Sequence, residues 1–169
     1  MLYIKENPQG IDQKISIIQK SLFKILNDID VYGRVYRNPS DNGFKPEVYV
    51  KDGEYKDVLT NDSNSGSVFF IDSETHEFMN GYYFETDVKI VFMLDLEKIN
   101  GNNNRNDVEI QQNLLMTVIK HKFFSVEKIE KGIDNIFKGF DTSNIKINDM
   151  QPYHVFAIAG KLKYSINQC

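Results

Sequence analysis

The sequence predicts an α+β fold, a mainly antiparallel β-sheet with an N-terminal helix and two further helices packed on one face. Three observations carry that expectation. Apolar residues recur every three or four positions over residues 11–29, apolar and polar residues alternate over 84–96, and the segments follow one another through 169 residues without an internal repeat. A chain of this length fits one domain, residues 1–169, and such a domain buries about 70% of the surface its unfolded form exposes.

In residues 11–29 the stripe is Ile11, Ile15, Ile18, Leu22, Ile25, Leu26 and Ile29, with Lys14, Lys20 and Lys24 outside it. Asp12 falls in the first turn, where a carboxylate suits the helix dipole. Residues 31–37 turn β-branched and aromatic and end in the turn-forming run 38–43, so a strand is expected there. A second strand spans 44–51, entered near Pro46, and Asp52-Gly53 is a hairpin turn into a short return strand at 55–59. Residues 60–66 read as an exposed loop, 67–72 as a strand buried on both faces, and 73–81 as a polar connection.

The clearest strand is 84–96. Phe84, Thr86, Val88, Ile90, Phe92, Leu94 and Leu96 share the face toward the core, and Glu85, Asp87, Lys89, Val91, Met93 and Asp95 share the other. After an Asn-rich loop at 100–106, Asp107 is placed to cap a helix with Val108, Leu114, Leu115, Val118 and Ile119 inward, ending near His121-Lys122. Ser125 is expected to cap a third helix over 126–137, with Val126, Ile129, Ile133, Ile136 and Phe137 inward and Gly139 as its stop. A polar stretch at 141–149 leads to a long last strand at 153–166, with Phe156, Ile158, Leu162, Tyr164 and Ile166 on one face.

Composition narrows the function classes. A formal net charge of −4 argues against a protein whose affinity comes from neutralising a nucleic-acid backbone. The single cysteine, Cys169, excludes an intrachain disulfide and a zinc site built on several thiolates. No signal peptide or membrane span is expected, which points to a soluble chain made in the cytoplasm. With 12 Phe and 9 Tyr, some aromatic side chains are available for contact surfaces.

Asp72 near one strand end and Asp87-Val88-Lys89 on the next form the sharpest catalytic pattern. They resemble the restriction-endonuclease-like arrangement in which two carboxylates hold Mg²⁺ and a Lys steadies the attacking water or the phosphate. The same spacing is what a half-solvated strand face produces by chance, and that reading is preferred. His76, His121 and His154 lack the helical spacing of a zinc protease, and there is no glycine-rich phosphate loop or nucleophile elbow. The Lys-rich run 120–131 is interleaved with Glu127 and Glu130, as in an ordinary solvated face. No catalytic residue, cofactor or metal ligand is therefore assigned, and an enzyme is not expected.

A family resemblance enters at Val31-Tyr32-Gly33-Arg34-Val35-Tyr36-Arg37-Asn38-Pro39, which follows an amphipathic helix and precedes Lys45-Pro46-Glu47-Val48-Tyr49-Val50. This opening resembles the tailed-bacteriophage tail-completion and tail-terminator proteins, and the order of the strand at 84–96, the helix at 107–122 and the strand at 153–166 is similar too. The chain departs from that pattern at 52–66 and in the helix expected at 126–137.

The resemblance implies a virion structural protein made in the host cytoplasm, a subunit of a hexameric or dodecameric ring at the head–tail junction (neck) or the top of the tail. Its partners would be further copies of itself, adjacent portal, connector or tail proteins, and DNA passing through the lumen without sequence-specific binding or any membrane contact. A ring needs complementary patches rather than a catalytic pocket. Tyr82 and Tyr83 beside Gly81, with Asn102, Asn103 and Arg105 of the Asn-rich loop, are the expected interface residues. The alternatives are the metal-dependent nuclease and a small adaptor domain that binds one protein.

Overall fold

Alternation and turn chemistry build most of this molecule, as a computed structural model that describes residues 1–59, 66–100, 107–145 and 152–166. Residues 60–65 and 101–106 of the two expected loops, and 146–149 of the polar stretch together with 150–151, lie outside the described residues. Helix α1 (Ile11–Phe23) leads into strands β1 (Asp30–Ser40), β2 (Gly43–Lys51), β3 (Glu54–Asp57), β4 (Gly66–Asp72), β5 (Glu77–Phe78) and β6 (Tyr83–Asp95). There follow α2 (Leu96–Asn100), α3 (Asp107–Ile119), β7 (Phe124–Lys131), the single turn α4 (Ile133–Ile136) and β8 (Tyr153–Ser165).

The described strands form one eight-stranded sheet in the order β3-β2-β1-β4-β6-β8-β7, with β5 paired to β6. Every pairing is antiparallel except β1 with β4. The fold is thus α+β with a mainly antiparallel sheet. Its spine is the β6–β8 ladder, in register from Tyr83 opposite Ser165 to Asp95 opposite Tyr153. Strand β1 serves two neighbours. Its first residues pair with β4, its register shifts between Val31 and Arg34, and from Val35 onward it pairs with β2.

Both faces of the sheet are covered. On the first, α1 and α3 pack Ile15, Ile18, Leu22, Leu114 and Val118 over Phe70, Ile90, Phe92, Phe156 and Ile158. On the second, Tyr32, Val35, Val48 and Val58 from β1, β2 and the chain after β3 meet Phe69, Val91, Met93, Ile136, Phe137 and Ala157. Each such side chain, fully buried, contributes on the order of 1.5–3 kcal/mol of transfer free energy. Strand β6 was expected to meet a core on one face only, and Val91 and Met93 are buried on the other as well. Asp52 and Gly53 have φ 50° and 81°, the positive pair that a tight hairpin turn requires.

The helix expected at 126–137 is not formed: residues 124–131 are strand β7, and only Ile133–Ile136 is helical. The helix-like spacing of its apolar residues comes from a bulge between Val126 and Lys128. A strand normally turns alternate residues to one face, but an extra residue lengthens that interval by one. Val126 opposite Gly160 and Ile129 opposite Ile158 consequently pack on the first core together, at a spacing of three that mimics a helix. The turn α4 packs on the second core, so the two helices of the first face are α1 and α3.

Smaller differences have local causes. Helix α1 stops at Phe23; Leu26 and Ile29 of the expected stripe remain buried in the turns that follow, whereas Ile25 is exposed because the helical period ends before it. In α3 Leu114 and Val118 are buried, whereas Val108 and Ile119 are exposed. Leu96 begins α2 rather than ending β6, and Asp107 is the first residue of α3 rather than the one before it. No helix among the described residues is long and apolar enough to cross a membrane.

Candidate functional site

Strand register decides what Asp72, Asp87 and Lys89 can do together. Asp72 lies opposite Val88, and Ile71 lies opposite Lys89. Residues paired across a ladder point to the same face, so Asp72 shares its face with Val88 and the first core, while Asp87 and Lys89 point to the second. The two carboxylates of the nuclease pattern are therefore separated by the thickness of the sheet. Lys89 is otherwise engaged: its Nζ is 2.6 Å from Glu130 Oε2 and donates to the Asn135 carbonyl at 3.0 Å.

On the first face Asp72 is the centre of a polar cluster. Its carboxylate, 3% exposed, lies 3.3 Å from Arg34 Nη1 and 3.4 Å from His76 Nε2. Arg34 also reaches Asp12 of α1, Nε to Oδ1 at 3.1 Å, and lies over the Tyr36 ring. Burial alone would lower the guanidinium pKa, but Asp72 and Asp12 outweigh it and the net direction is upward. His76 Nδ1 and the Tyr164 hydroxyl are 2.8 Å apart, and burial, with the Asp72 charge second, pushes the Tyr164 hydroxyl up. Four elements meet here, α1, β1, β4 and β8, and the arrangement is that of a polar clasp.

On the second face Arg37, Asp72, Asp87, Lys89, Glu130 and Lys138 line an open groove of about 370 Å³, where the Asp72 backbone carbonyl accepts from Arg37 at 2.7 Å while its carboxylate turns to Arg34 and His76. It adjoins a shallower one of about 460 Å³ that shares Lys89, Lys128, Glu130 and Lys138. Glu130 lies between the two ammonium groups, 2.8 Å from Lys128 and 2.6 Å from Lys89. Partial burial opposes its ionisation, yet hydrogen bonds from Lys128 and Lys89 prevail and hold its pKa below the ordinary value. The opposite charges of this groove are largely matched to one another.

The expected interface residues divide. Tyr82 and Tyr83 are 62% and 59% exposed, and Asn102, Asn103 and Arg105 lie outside the described residues. The tyrosines do not stand alone. Glu77 and Phe78 pair with Glu85 and Phe84 as a β-ribbon, and Met79 N–H donates to the Tyr83 carbonyl at 2.8 Å. Residues 73–81, expected to be only a polar connection, thus include one arm of a hairpin. Phe78 is 69% exposed, and Met79 is exposed beside it.

An aromatic series fixes the root of this hairpin. Phe78 meets Phe84 edge-on at 5.5 Å, Phe84 stacks on Tyr164 at 5.5 Å, and Tyr164 meets His76 at 5.8 Å. One signal in the sequence marks the turn: Asn80-Gly81 is a strong hairpin dipeptide, and Gly81 has φ 80°.

The histidines do not converge. His76 belongs to the Asp72 cluster, His154 is buried against Phe156, and burial lowers the pKa of His121, whose ring lies beside Phe123. Among the described residues no group of three or more His, Cys, Asp or Glu side chains is placed to hold a metal ion. Comparison with protein families, with curated proteins and with solved structures finds no match.

Proposed function

We propose that this chain is a virion structural protein, a subunit of a ring at the neck or tail top of a tailed bacteriophage. One observation carries the reading: Phe78, Met79, Tyr82 and Tyr83 are exposed together on a hairpin whose root is fixed by aromatic packing. Covering them would remove on the order of 400 Å² of surface from water, worth about 10 kcal/mol before the costs of association. Exposed apolar groups of that extent mark contact surfaces. A rigid anchor suits assembly because little freedom is lost when it docks.

The resemblance of residues 31–50 and of the element order to tail-terminator proteins gives this surface its setting. Neighbouring subunits would take up the hairpin, portal or tail proteins would bind the ends of the ring, and a net charge of −4 would let DNA pass without being held. The test is immunoelectron microscopy of particles assembled from the genome that encodes the chain. Label at the head–tail junction or tail top is the expected result, and particles with joined tails that carry no label would overturn the reading.

A further inference from the structure

The hairpin carries charge as well as apolar surface. Glu77 is exposed next to Phe78 and Glu74 is exposed at the foot of the hairpin, and between residues 73 and 88 the sequence has no Lys or Arg. Glu85 is taken up by Lys161 and Lys163, at 3.6 and 3.4 Å, which leaves Glu77 as the acid nearest the tip, with Glu74 and the exposed Asp87 at the foot of the hairpin. Glu74 is 75% exposed and meets Arg37 only at 3.6 Å.

A second unpartnered surface has the opposite sign. Ile17 on α1, Ile25 in the turn after it, and Met116 and Ile119 on α3 are exposed. Lys20, Lys24, Lys120 and Lys122, their near neighbours in sequence, are exposed too. The acids of this layer sit at its margins: Asp107 and Glu109 open α3, Asp28 follows α1, and Asp12 is held by Arg34. Helix α3 is thus apolar on two sides, with Leu114 and Val118 in the core and Met116 and Ile119 facing away from it. A helix that only covered a sheet would need one such side.

We infer that the acidic, apolar β5–β6 hairpin of one copy docks on the basic, apolar outer side of the α1–α3 layer of a second copy. The contact joins two different patches, so it is heterologous and propagates from subunit to subunit until the rotation closes. Charge complementarity selects the partner and the register, and burial of the apolar side chains supplies the affinity. This inference rests on the reading of the chain as a self-assembling subunit and names the surface that receives the hairpin.

The experiment uses the full chain with Cys169→Ser and two single-cysteine variants, Tyr82→Cys and Ile119→Cys. Mixed and oxidised, they are expected to give the Tyr82→Cys/Ile119→Cys disulfide in several-fold excess over either like pair. In sedimentation velocity, Lys20→Glu/Lys24→Glu/Lys120→Glu is expected to weaken self-association about tenfold or more, and adding Glu74→Lys/Glu77→Lys to restore it. Association should also weaken with salt. A monomer at every concentration, with the hairpin free for a foreign protein, would overturn the inference. So would oligomers in which the mixed disulfide does not predominate, an outcome that leaves the ring reading standing on other contacts. Mixed disulfides from a chain that virions lack would sink the ring reading and leave this contact in place.

Discussion

Asp72 sits on a strand, and a strand residue turns its side chain to one face only. Its opposition to Val88 sends the carboxylate toward Arg34 and His76, away from Asp87. Removing one partner of a buried ion pair leaves the other uncompensated, so Asp72→Ala is expected to cost about 3 kcal/mol in urea unfolding. Asp87→Ala, at an exposed position, should stay within about 0.5 kcal/mol. The sequence displays both residues but not their register, because the pairing of β4 with β6 depends on long-range packing rather than on local pattern. His121 supplies a prediction in pH. Burial lowers its pKa in the folded chain, so the unfolded chain takes the proton more readily. Its contribution is complete above the unfolded value, about 6.5, and is lost as pH falls through that value. Between about pH 7 and pH 5 the Tm of the parent chain should therefore fall further than that of His121→Phe, as calorimetry would show.

Among the elements, those with a clean period were legible and those with an interrupted one were not. The alternation in β6 and β8 places those strands within a residue or two, and the stripe of α1 places its start at Ile11 but not its end, which falls at Phe23 rather than near Ile29. Strand β7 was hidden because its bulge sets Val126 and Ile129 three apart, and Glu and Lys favour helices. The bulge has a counterpart in β8: Gly160 lies opposite Val126, and a Cβ there would collide with the Ser125 backbone. A backbone atom cannot rotate away as a side-chain tip can, so Gly160→Ala must displace β7. The expected cost is about 3 kcal/mol. Amide hydrogen exchange should show protection lost along β7 and retained in the β4–β6 ladder, and uniform loss along both would contradict a local clash. The hairpin arm at Glu77–Phe78 was missed for another reason. It is only two residues long, too short for any period, so the Asn80-Gly81 turn is its one local mark.

For the whole molecule, the proposed ring reading assigns stability and assembly to different surfaces, and that separation is measurable. The sheet is buried on both faces by side chains that do not include Tyr82 or Tyr83. Tyr82→Ser/Tyr83→Ser should therefore change unfolding free energy by no more than about 0.5 kcal/mol. Under the proposed ring reading the same pair abolishes complementation in a phage that lacks the chain, leaving filled heads and free tails visible by electron microscopy. Phe78 gives the internal control, because it is exposed yet also packs edge-on against Phe84. Phe78→Ser should lose both the partner contact and about 1 kcal/mol of fold stability, the usual worth of an aromatic pair. If the double tyrosine variant unfolded as easily as Phe78→Ser, the hairpin would be part of the core architecture rather than an anchor held out for a neighbour. If it complemented fully, the tyrosines would be exposed without being used, and the contact would have to lie on another surface of the chain.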